Sequence, residues 1–276
     1  MLTSKNANGF TLIELAVVLT IIGLIIGGIL IASSMIRSSE IQSALGESAE
    51  FTQAIKSFQD KYDALPGDFS GATAIWGAAH AAAATCIITV GTTETATCNG
   101  DSNGRIANLD NYAVTYYEQF RAWQHLRNAK FIEGNFSGTA TTAPYTYTIG
   151  TNIPASGLTG AGWKMMTVTM NDLLASAGSG ADNITLNSVF NILGEMPPNV
   201  ILWLGGRHSS NHNMTGALTP VEAYALDKKI DDGIPTRGKW VAQRSGSTCD
   251  TGTNAYRLTG PNASLNVCAL IVKTGL

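Results

Sequence analysis

The most constraining feature of this chain is an uncharged apolar run near its amino terminus. Residues 15–32 contain no charged side chain, and only Thr20 carries a side-chain hydrogen-bonding group. A run of this length can cross a lipid bilayer as a single helix. Glu14 stands at its start, where a membrane-buried carboxylate costs about 2.5–3.5 kcal/mol unless a partner offsets the charge. The sequence therefore predicts a membrane-inserted helix whose Glu14 has a functional partner.

A positively charged α-amine would be such a partner if the chain were cleaved immediately before Phe10. Residues 9–15 read GFTLIEL, which resembles the cleavage and methylation motif of type IV prepilins and type II secretion pseudopilins. The resemblance implies that a prepilin peptidase cuts after Gly9 and methylates the new amino terminus at Phe10. It also implies that Glu14 pairs with the amino-terminal amine of a neighbouring subunit during filament assembly.

Three other interpretations explain the apolar run but not the residues around it. An ordinary secretory signal has a shorter apolar region and a small-residue cleavage site, for which residues 31–33 are the candidate. A plain signal-anchor helix leaves Gly9, Phe10 and Glu14 unexplained, and a buried core helix is usually shorter. None of the three accounts for a carboxylate within the membrane, so the prepilin resemblance is the preferred interpretation.

The helix is predicted to continue beyond the membrane as an amphipathic segment. Residues three or four apart form one face, namely Ile41, Leu45, Ser48, Thr52, Ile55, Phe58 (or Gln59) and Tyr62. Pro66 and Gly67 stop the helix, because proline disfavours helical conformation in the preceding residue and Pro-Gly favours a turn. The expected organisation is a leader at 1–9, a transmembrane and amphipathic helix at 10–64, and a globular head at 65–276.

The head is predicted to be rich in β-strands with additional helices, which makes the fold class α+β. Alternating apolar residues and short buried runs indicate strands at 163–170, 200–204, 239–243 and 266–273. An apolar face indicates a helix at 116–132, on which His125 is predicted to be a packing or surface residue rather than a metal ligand. Another helix, at 220–232, starts with a capping box formed by Thr219 and Glu222.

Four cysteines in an exported chain indicate disulfide bonds. They permit three pairings, which the sequence alone leaves open, and proximity favours Cys86–Cys98 together with Cys249–Cys268. Each bond would close a loop of a dozen or two residues, worth about 3 kcal/mol in the chain-entropy model. Free buried thiols are the alternative.

One segment of the head resembles a calcium-binding loop of the EF-hand type. Residues 99–110 carry oxygen-bearing side chains at positions one, three and five, glycine at six and an acid at twelve. Alternate side chains can converge on one cation, while the glycine permits a sharp turn. The candidate ligands are Asn99, Asp101, Asn103, Arg105 and Asp110. The first and twelfth residues depart from the usual Asp and Glu, and two metal-free turns are the alternative. No cofactor is required, and Ca2+ is the candidate.

Charge and composition bear on partners and location. The 276 residues have a net charge of −3 and only 13% are charged, so no general basic surface exists for nucleic acid. Lys5 and the α-amine make the leader positive, which keeps that end in the cytoplasm and sends the rest outward. The helix is therefore expected in the inner membrane of a bacterium, with the head in the periplasm and later in a pilus or pseudopilus.

The sequence offers little support for catalysis. No phosphate-cradling G-K-[ST] sequence and no C-x-x-C pair occurs, and no Cys/His set suits a nucleophile. The predicted function is that of a structural subunit of a type IV pilus or type II secretion pseudopilus. Its predicted partners are the prepilin peptidase, other subunits of a helical filament and an assembly platform. The alternatives are a pilin-anchored calcium-dependent adhesin, a substrate-binding minor pilin, or a membrane-anchored periplasmic enzyme.

Overall fold

The structure, a computed structural model, describes residues 11–82, 86, 89–91, 93–106, 118–139, 147–168, 199–207, 214–242, 249–251 and 254–276. It confirms the α+β class. A long amino-terminal helix is followed by a head that contains one antiparallel sheet and, within those residues, shorter helices.

Helix α1, Leu12–Tyr62, begins and ends at local sequence signals. Thr11 caps its amino terminus through side-chain and backbone hydrogen bonds with the third helical residue. At the other end, Asp63 adopts the left-handed conformation with φ 52°, and its N–H donates to the Gln59 carbonyl at 2.8 Å. Pro66 follows shortly, so the helix cannot resume.

The second half of α1 packs one face against the head. The buried residues of this face are Ala44, Ser48, Phe51, Ala54, Ile55 and Phe58. Ser48, Ile55 and Phe58 belong to the predicted face. Phe51 does not, whereas the predicted Thr52 is only half-buried. The predicted Ile41, Leu45 and Tyr62 also pack against the core. The predicted face is therefore present and is widened on the side of Phe51, whose ring has aromatic partners in the head.

The head is built on a five-stranded antiparallel sheet. Its strands are β1 (Ala161–Val168), β2 (Asn199–Arg207), β3 (Met214–Thr215), β4 (Trp240–Ala242) and β5 (Leu270–Lys273). They lie in the order β1-β2-β5-β4, and β3 also pairs with β2. Each of the four predicted strands overlaps one of these. The last strand of the chain thus lies inside the sheet, where both of its edges are paired.

Three helices accompany the sheet in the described residues: α2 (Ala72–Trp76), α3 (Glu118–Asn128) and α4 (Pro220–Ile230). The predicted capping box starts α4, since the Glu222 carboxylate accepts the Thr219 N–H at 2.8 Å. The main core joins α1, α3 and β1. The ring of Phe51 lies 5.0 Å from that of Trp123 and 6.0 Å from that of Trp163, measured between centroids.

Two disulfide bonds tie loops to this framework. Cys86 is bonded to Cys98, with 5.8 Å between their Cα atoms, and Cys249 to Cys268, with 5.0 Å. This is the pairing that sequence proximity favours. All four cysteines are buried. Cys268 also exchanges backbone hydrogen bonds with Leu218, which places the second disulfide beside the segment that leads into α4.

Candidate functional site: helix α1 and its contacts

Glu14 takes part in a capping box at the start of α1. Its Oε2 accepts hydrogen bonds from the backbone N–H and from the hydroxyl of Thr11, both at 2.8 Å. The Thr11 hydroxyl oxygen accepts the Glu14 N–H at 3.3 Å. The Thr-x-x-Glu spacing that signals such a box is present in the sequence, so local sequence could have predicted this contact.

The predicted processing residues, Gly9 and Phe10, lie outside the described residues. Within the described part of the chain, both donors to the Glu14 side chain reach Oε2, and none reaches Oε1. One carboxylate oxygen is therefore held by the start of the chain's own helix. The other can accept a hydrogen bond or a positive charge from elsewhere.

The first half of α1 is apolar and exposed. Every residue from 11 to 36 is exposed, including Leu12 at 90%, Leu24 at 73% and Ile36 at 62%. The helix is long and apolar enough to cross a membrane. Apolar surface of this extent is unfavourable in water. This half of α1 therefore needs lipid, or other apolar helices, around it.

Arg37, the first charged residue after the apolar half, clamps α1 to the head. Its Nε and Nη2 bind the two carboxylate oxygens of Glu222 at 2.7 and 3.1 Å. Nη2 also donates to the Ala217 carbonyl at 2.9 Å, and Nη1 donates to Glu40 at 3.0 Å. Burial alone would raise the pKa of Glu222, but the hydrogen bond from Arg37 brings it below the ordinary value. The pair is therefore charged at neutral pH.

Glu47 forms a second clamp about three turns further along α1. Its Oε2 accepts the indole N–H of Trp163 at 2.7 Å and the Ser156 hydroxyl at 2.6 Å. Its Oε1 accepts the Gly157 N–H at 2.6 Å. A Cβ added at Gly157 would lie 2.4 Å from the Ser43 hydroxyl oxygen, so glycine is needed for this close approach. Together, the clamps at Arg37 and Glu47 orient the helix relative to the head.

Of the two predicted roles for His125, packing or surface, the structure shows packing: the side chain is buried and joins two other segments to α3. Its Nδ1 accepts the Gly67 N–H at 2.9 Å, so its proton resides on Nε2, which faces the Cys98 carbonyl at 3.1 Å. Burial, assisted by the nearby charge of Arg121, lowers the pKa of His125 to about 3, although the Cys98 carbonyl opposes the shift. The ring is therefore neutral at neutral pH.

The predicted calcium ligands do not all converge. The Asn99 side-chain oxygen instead accepts the Thr73 N–H of α2 at 2.8 Å, because glycine caps that helix without a side chain. Asp101 and Asn103 do lie together, since the Asn103 amide donates to Asp101 at 2.8 Å. Arg105 is half-buried, and Asp110 lies outside the described residues.

Two carboxylates from outside this loop, which its spacing did not predict, lie beside it. Asp68, Asp101 and Glu118 each place one carboxylate oxygen within 4.8 Å of the others. Asp68 also accepts the N–H groups of Asn103 and Gly104, both at 2.9 Å, so the loop backbone surrounds its carboxylate. Burial raises the pKa of Asp68 to about 6, and the charge of Asp101 adds to the shift.

Residues 100–104 read GDSNG and match the G-x-S-x-G pattern of hydrolase nucleophile elbows. Such an elbow joins a strand to a helix, but the described residues directly around this loop form neither. The Ser102 hydroxyl donates to the Asp68 backbone carbonyl at 3.4 Å. Among the described residues no histidine is hydrogen-bonded to Ser102. The buried His125 binds Gly67 and Cys98 instead. The described geometry does not form a nucleophile–base pair.

Comparison with known families supports the amino-terminal part of these predictions. Residues 4–30 match the family model of the prokaryotic N-terminal methylation motif, which is the prepilin motif of type IV pilins and pseudopilins. The resemblance seen in GFTLIEL is thereby confirmed for this segment. Curated proteins give no significant match to the chain, and solved structures give none.

Proposed function

We propose that this chain is a structural subunit of a type IV pilus or a type II secretion pseudopilus that assembles through α1. The observation that carries the proposal is the coincidence of the methylation motif at residues 4–30 with an apolar half-helix exposed along its length. Such a helix needs lipid around it before assembly and neighbouring helices afterwards. Its role is assembly rather than catalysis.

Processing and location follow from the same motif. Prepilin peptidase would cut between Gly9 and Phe10 and methylate Phe10, which removes the leader at 1–9. Of the helix at 10–64, the mature chain would hold the apolar first half in the inner membrane. The amphipathic second half and the head, 65–276, would lie on the periplasmic side. Other subunits of the filament and an assembly platform would be its partners, with no role for nucleic acid.

Glu14 and the amine of Phe10 would set the register between neighbouring subunits. A carboxylate attracts an ammonium far more strongly in hydrocarbon than in water, and an unpaired charge is costly there. In the subunit described here, Thr11 donates to Oε2 of Glu14. That contact would hold the carboxylate in place and leave Oε1 for the incoming amine. Only one axial position of the neighbour would then satisfy both charges.

Mass spectrometry of the chain extracted from membranes tests the processing step. The expected amino terminus is methylated Phe10, and an intact Met1 or a terminus elsewhere would contradict the proposal. Glu14→Ala is expected to leave cleavage intact and to block incorporation into filaments. Glu50→Ala removes an exposed charge from the second half of α1 and is the matched control, which should assemble normally. Normal filaments from Glu14→Ala would refute the role of this carboxylate.

A membrane-anchored periplasmic enzyme is the competing class, and the same variants separate it from the proposed subunit. An enzyme would require activity in the head and would have no need for the Glu14 carboxylate. The expected outcome for an assembly subunit is the reverse: filament incorporation depends on Glu14 in cells that process the chain normally.

A calcium-binding head, as in a calcium-dependent adhesin or a substrate-binding minor pilin, is the second candidate. The convergence of Asp68, Asp101 and Glu118 favours it, because calcium prefers clustered oxygen ligands. Millimolar calcium is expected to raise the melting temperature of the wild-type chain but not of Asp101→Asn. Asp60→Asn, which alters an exposed carboxylate on α1, is the control and should retain the shift. Equal melting temperatures with calcium and with a chelator would exclude the site.

A further inference from the structure

Residues along α1 contact different parts of the head in turn, so their positions give the distance of each part from the apolar half of the helix. Arg37 binds Glu222 at the start of α4. At the other end, the ring of Phe58 lies 6.3 Å from that of Trp76 in α2. At 1.5 Å per residue, Arg37 and Phe58 are roughly 30 Å apart along the helix. Of these two contacts with the head, the one at the start of α4 is therefore nearer the apolar half of α1, and the one with α2 is far from it.

No spacer separates the apolar half of α1 from the head. Residues 15–36 extend over about 33 Å, which matches a hydrocarbon core of about 30 Å. Ile36 is apolar and 62% exposed, and the next residue, Arg37, already binds the head. The headgroup layer is about 5–8 Å thick on each side of the hydrocarbon. The part of the head bound to Arg37 then lies in that layer if the hydrocarbon begins at Leu15, and about 10 Å from the hydrocarbon, at the outer boundary of the layer, if it begins at Phe10.

Two exposed apolar side chains belong to this part of the head. Val221 precedes Glu222 in the first turn of α4 and is 48% exposed. Leu265 is 51% exposed, and its carbonyl accepts the Val267 N–H. The Val267 backbone lies against Gly216, since a Cβ added at Gly216 would be 2.3 Å from the carbonyl carbon of Val267. Gly216 precedes the Ala217 carbonyl to which Arg37 donates. We call the surface that carries Val221 and Leu265 the proximal edge.

The two charges that join α1 to this part of the head, Arg37 and Glu222, are paired with each other. The Arg37 guanidinium binds Glu222 in a two-point contact and also binds Glu40. The Glu222 carboxylate additionally accepts the Thr219 N–H at the start of α4. Neither charge therefore needs a lipid phosphate or ammonium group as its partner. Attraction of the proximal edge to a membrane would come from its apolar side chains, which suit the boundary between headgroups and hydrocarbon.

We propose that the proximal edge rests on the outer surface of the membrane that α1 crosses, with Val221 and Leu265 in contact with lipid. The inference depends on the membrane anchoring proposed above. Its physical basis is the exposure of two apolar side chains in segments that neighbour the Arg37 contact, directly after the apolar half of α1. The head is thereby seated on the bilayer before assembly and must leave it when the subunit enters a filament.

Fluorescence of a dye attached at single positions tests this seating in the full-length chain. The four native cysteines are all in disulfides, so an added cysteine is the one reactive thiol. The variants are Val221→Cys and Leu265→Cys at the edge, Ile75→Cys on α2, and Leu24→Cys in the apolar half. Ile75 is 53% exposed and is thus a matched control far from the membrane. Because these sites are exposed, the substitutions should leave the fold intact.

Each labelled chain is placed in vesicles of phosphatidylethanolamine and phosphatidylglycerol that contain nitroxide-labelled lipid. A headgroup nitroxide is expected to quench the emission of dyes at Val221 and Leu265, but not at Ile75. A mid-chain nitroxide should quench the label at Leu24. If Leu24 is quenched while Val221 and Leu265 behave like Ile75, the head is not seated on the membrane. If Leu24 itself escapes quenching, the membrane anchoring fails and this proposal fails with it.

Discussion

Acidification is expected to destabilise the head through His125, and the effect can be calculated from the surroundings of this side chain. The folded protein keeps the ring neutral, since burial and the charge of Arg121 lower its pKa to about 3. In the unfolded chain a histidine has a pKa of about 6.5. Between these two values the unfolded state binds a proton that the folded state does not, so stability decreases as the pH falls.

At pH 5 the medium is about 1.5 units below the unfolded pKa, and each unit is worth about 1.4 kcal/mol. His125 is therefore expected to remove about 2 kcal/mol from the free energy of unfolding between pH 8 and pH 5. This magnitude depends on the unfolded pKa and is nearly the same for any folded pKa below about 4. Two buried carboxyl groups, Asp68 and Asp227, oppose it, because burial raises their pKa values to about 6 and about 7.

A comparison of the wild type with His125→Gln isolates the histidine, because the carboxyl contributions cancel in the difference. The assay is urea unfolding of the full-length chain in detergent, followed by the fluorescence of its buried tryptophans. Glutamine loses the ring contacts with Phe58 and Trp76, so the variant should be less stable at pH 8. Its deficit should shrink by about 2 kcal/mol at pH 5. A deficit that is the same at both pH values would refute the assignment of a buried, neutral His125.

Three further predictions use the same unfolding assay. Glu47→Ala should lower the free energy of unfolding by about 2–4 kcal/mol, because the buried indole N–H and a backbone N–H lose their acceptor. The exposed Glu50→Ala should change it by no more than about 0.5 kcal/mol. Equal changes would mean that the Glu47 clamp does not stabilise the head. Asp227→Asn should be more stable than the wild type at pH 8. This difference in the free energy of unfolding should shrink by roughly 2 kcal/mol at pH 5, because the folded wild type takes up a proton on Asp227 as the pH falls. The double substitution of Cys249 and Cys268 by serine should lower the free energy of unfolding by about 3 kcal/mol, and an unchanged urea midpoint would contradict a structural role for this disulfide.

Local sequence predicted the features whose cause is local. The apolar run, the methylation motif and the end of α1 before Pro66 depend on neighbouring residues alone. The capping box of Thr219 and Glu222 has the same origin, because its partners are three residues apart. Each of the four strands was predicted near its true position, since alternation along a strand is also a local pattern. The fold class follows from these elements.

Local patterns failed where two distant segments meet. Periodicity selected Thr52 for the buried face, whereas the head has aromatic rings that receive Phe51. Spacing alone assigned Asn99 to a cation, whereas the start of α2 takes its side chain as a cap. The carboxylates of Asp68 and Glu118 were missing from the predicted loop because they come from segments outside it.

The sequence by itself determined that this chain has a membrane-length helix with a processing motif, followed by an α+β head. Only the tertiary structure decided how that helix is attached to the head. Arg37 and Glu222 are 185 residues apart in the chain, and Glu47 and Trp163 are 116 apart. A charged side chain in a helix carries no local sign of the partner that will meet it, because the partner's position depends on the packing of the whole head.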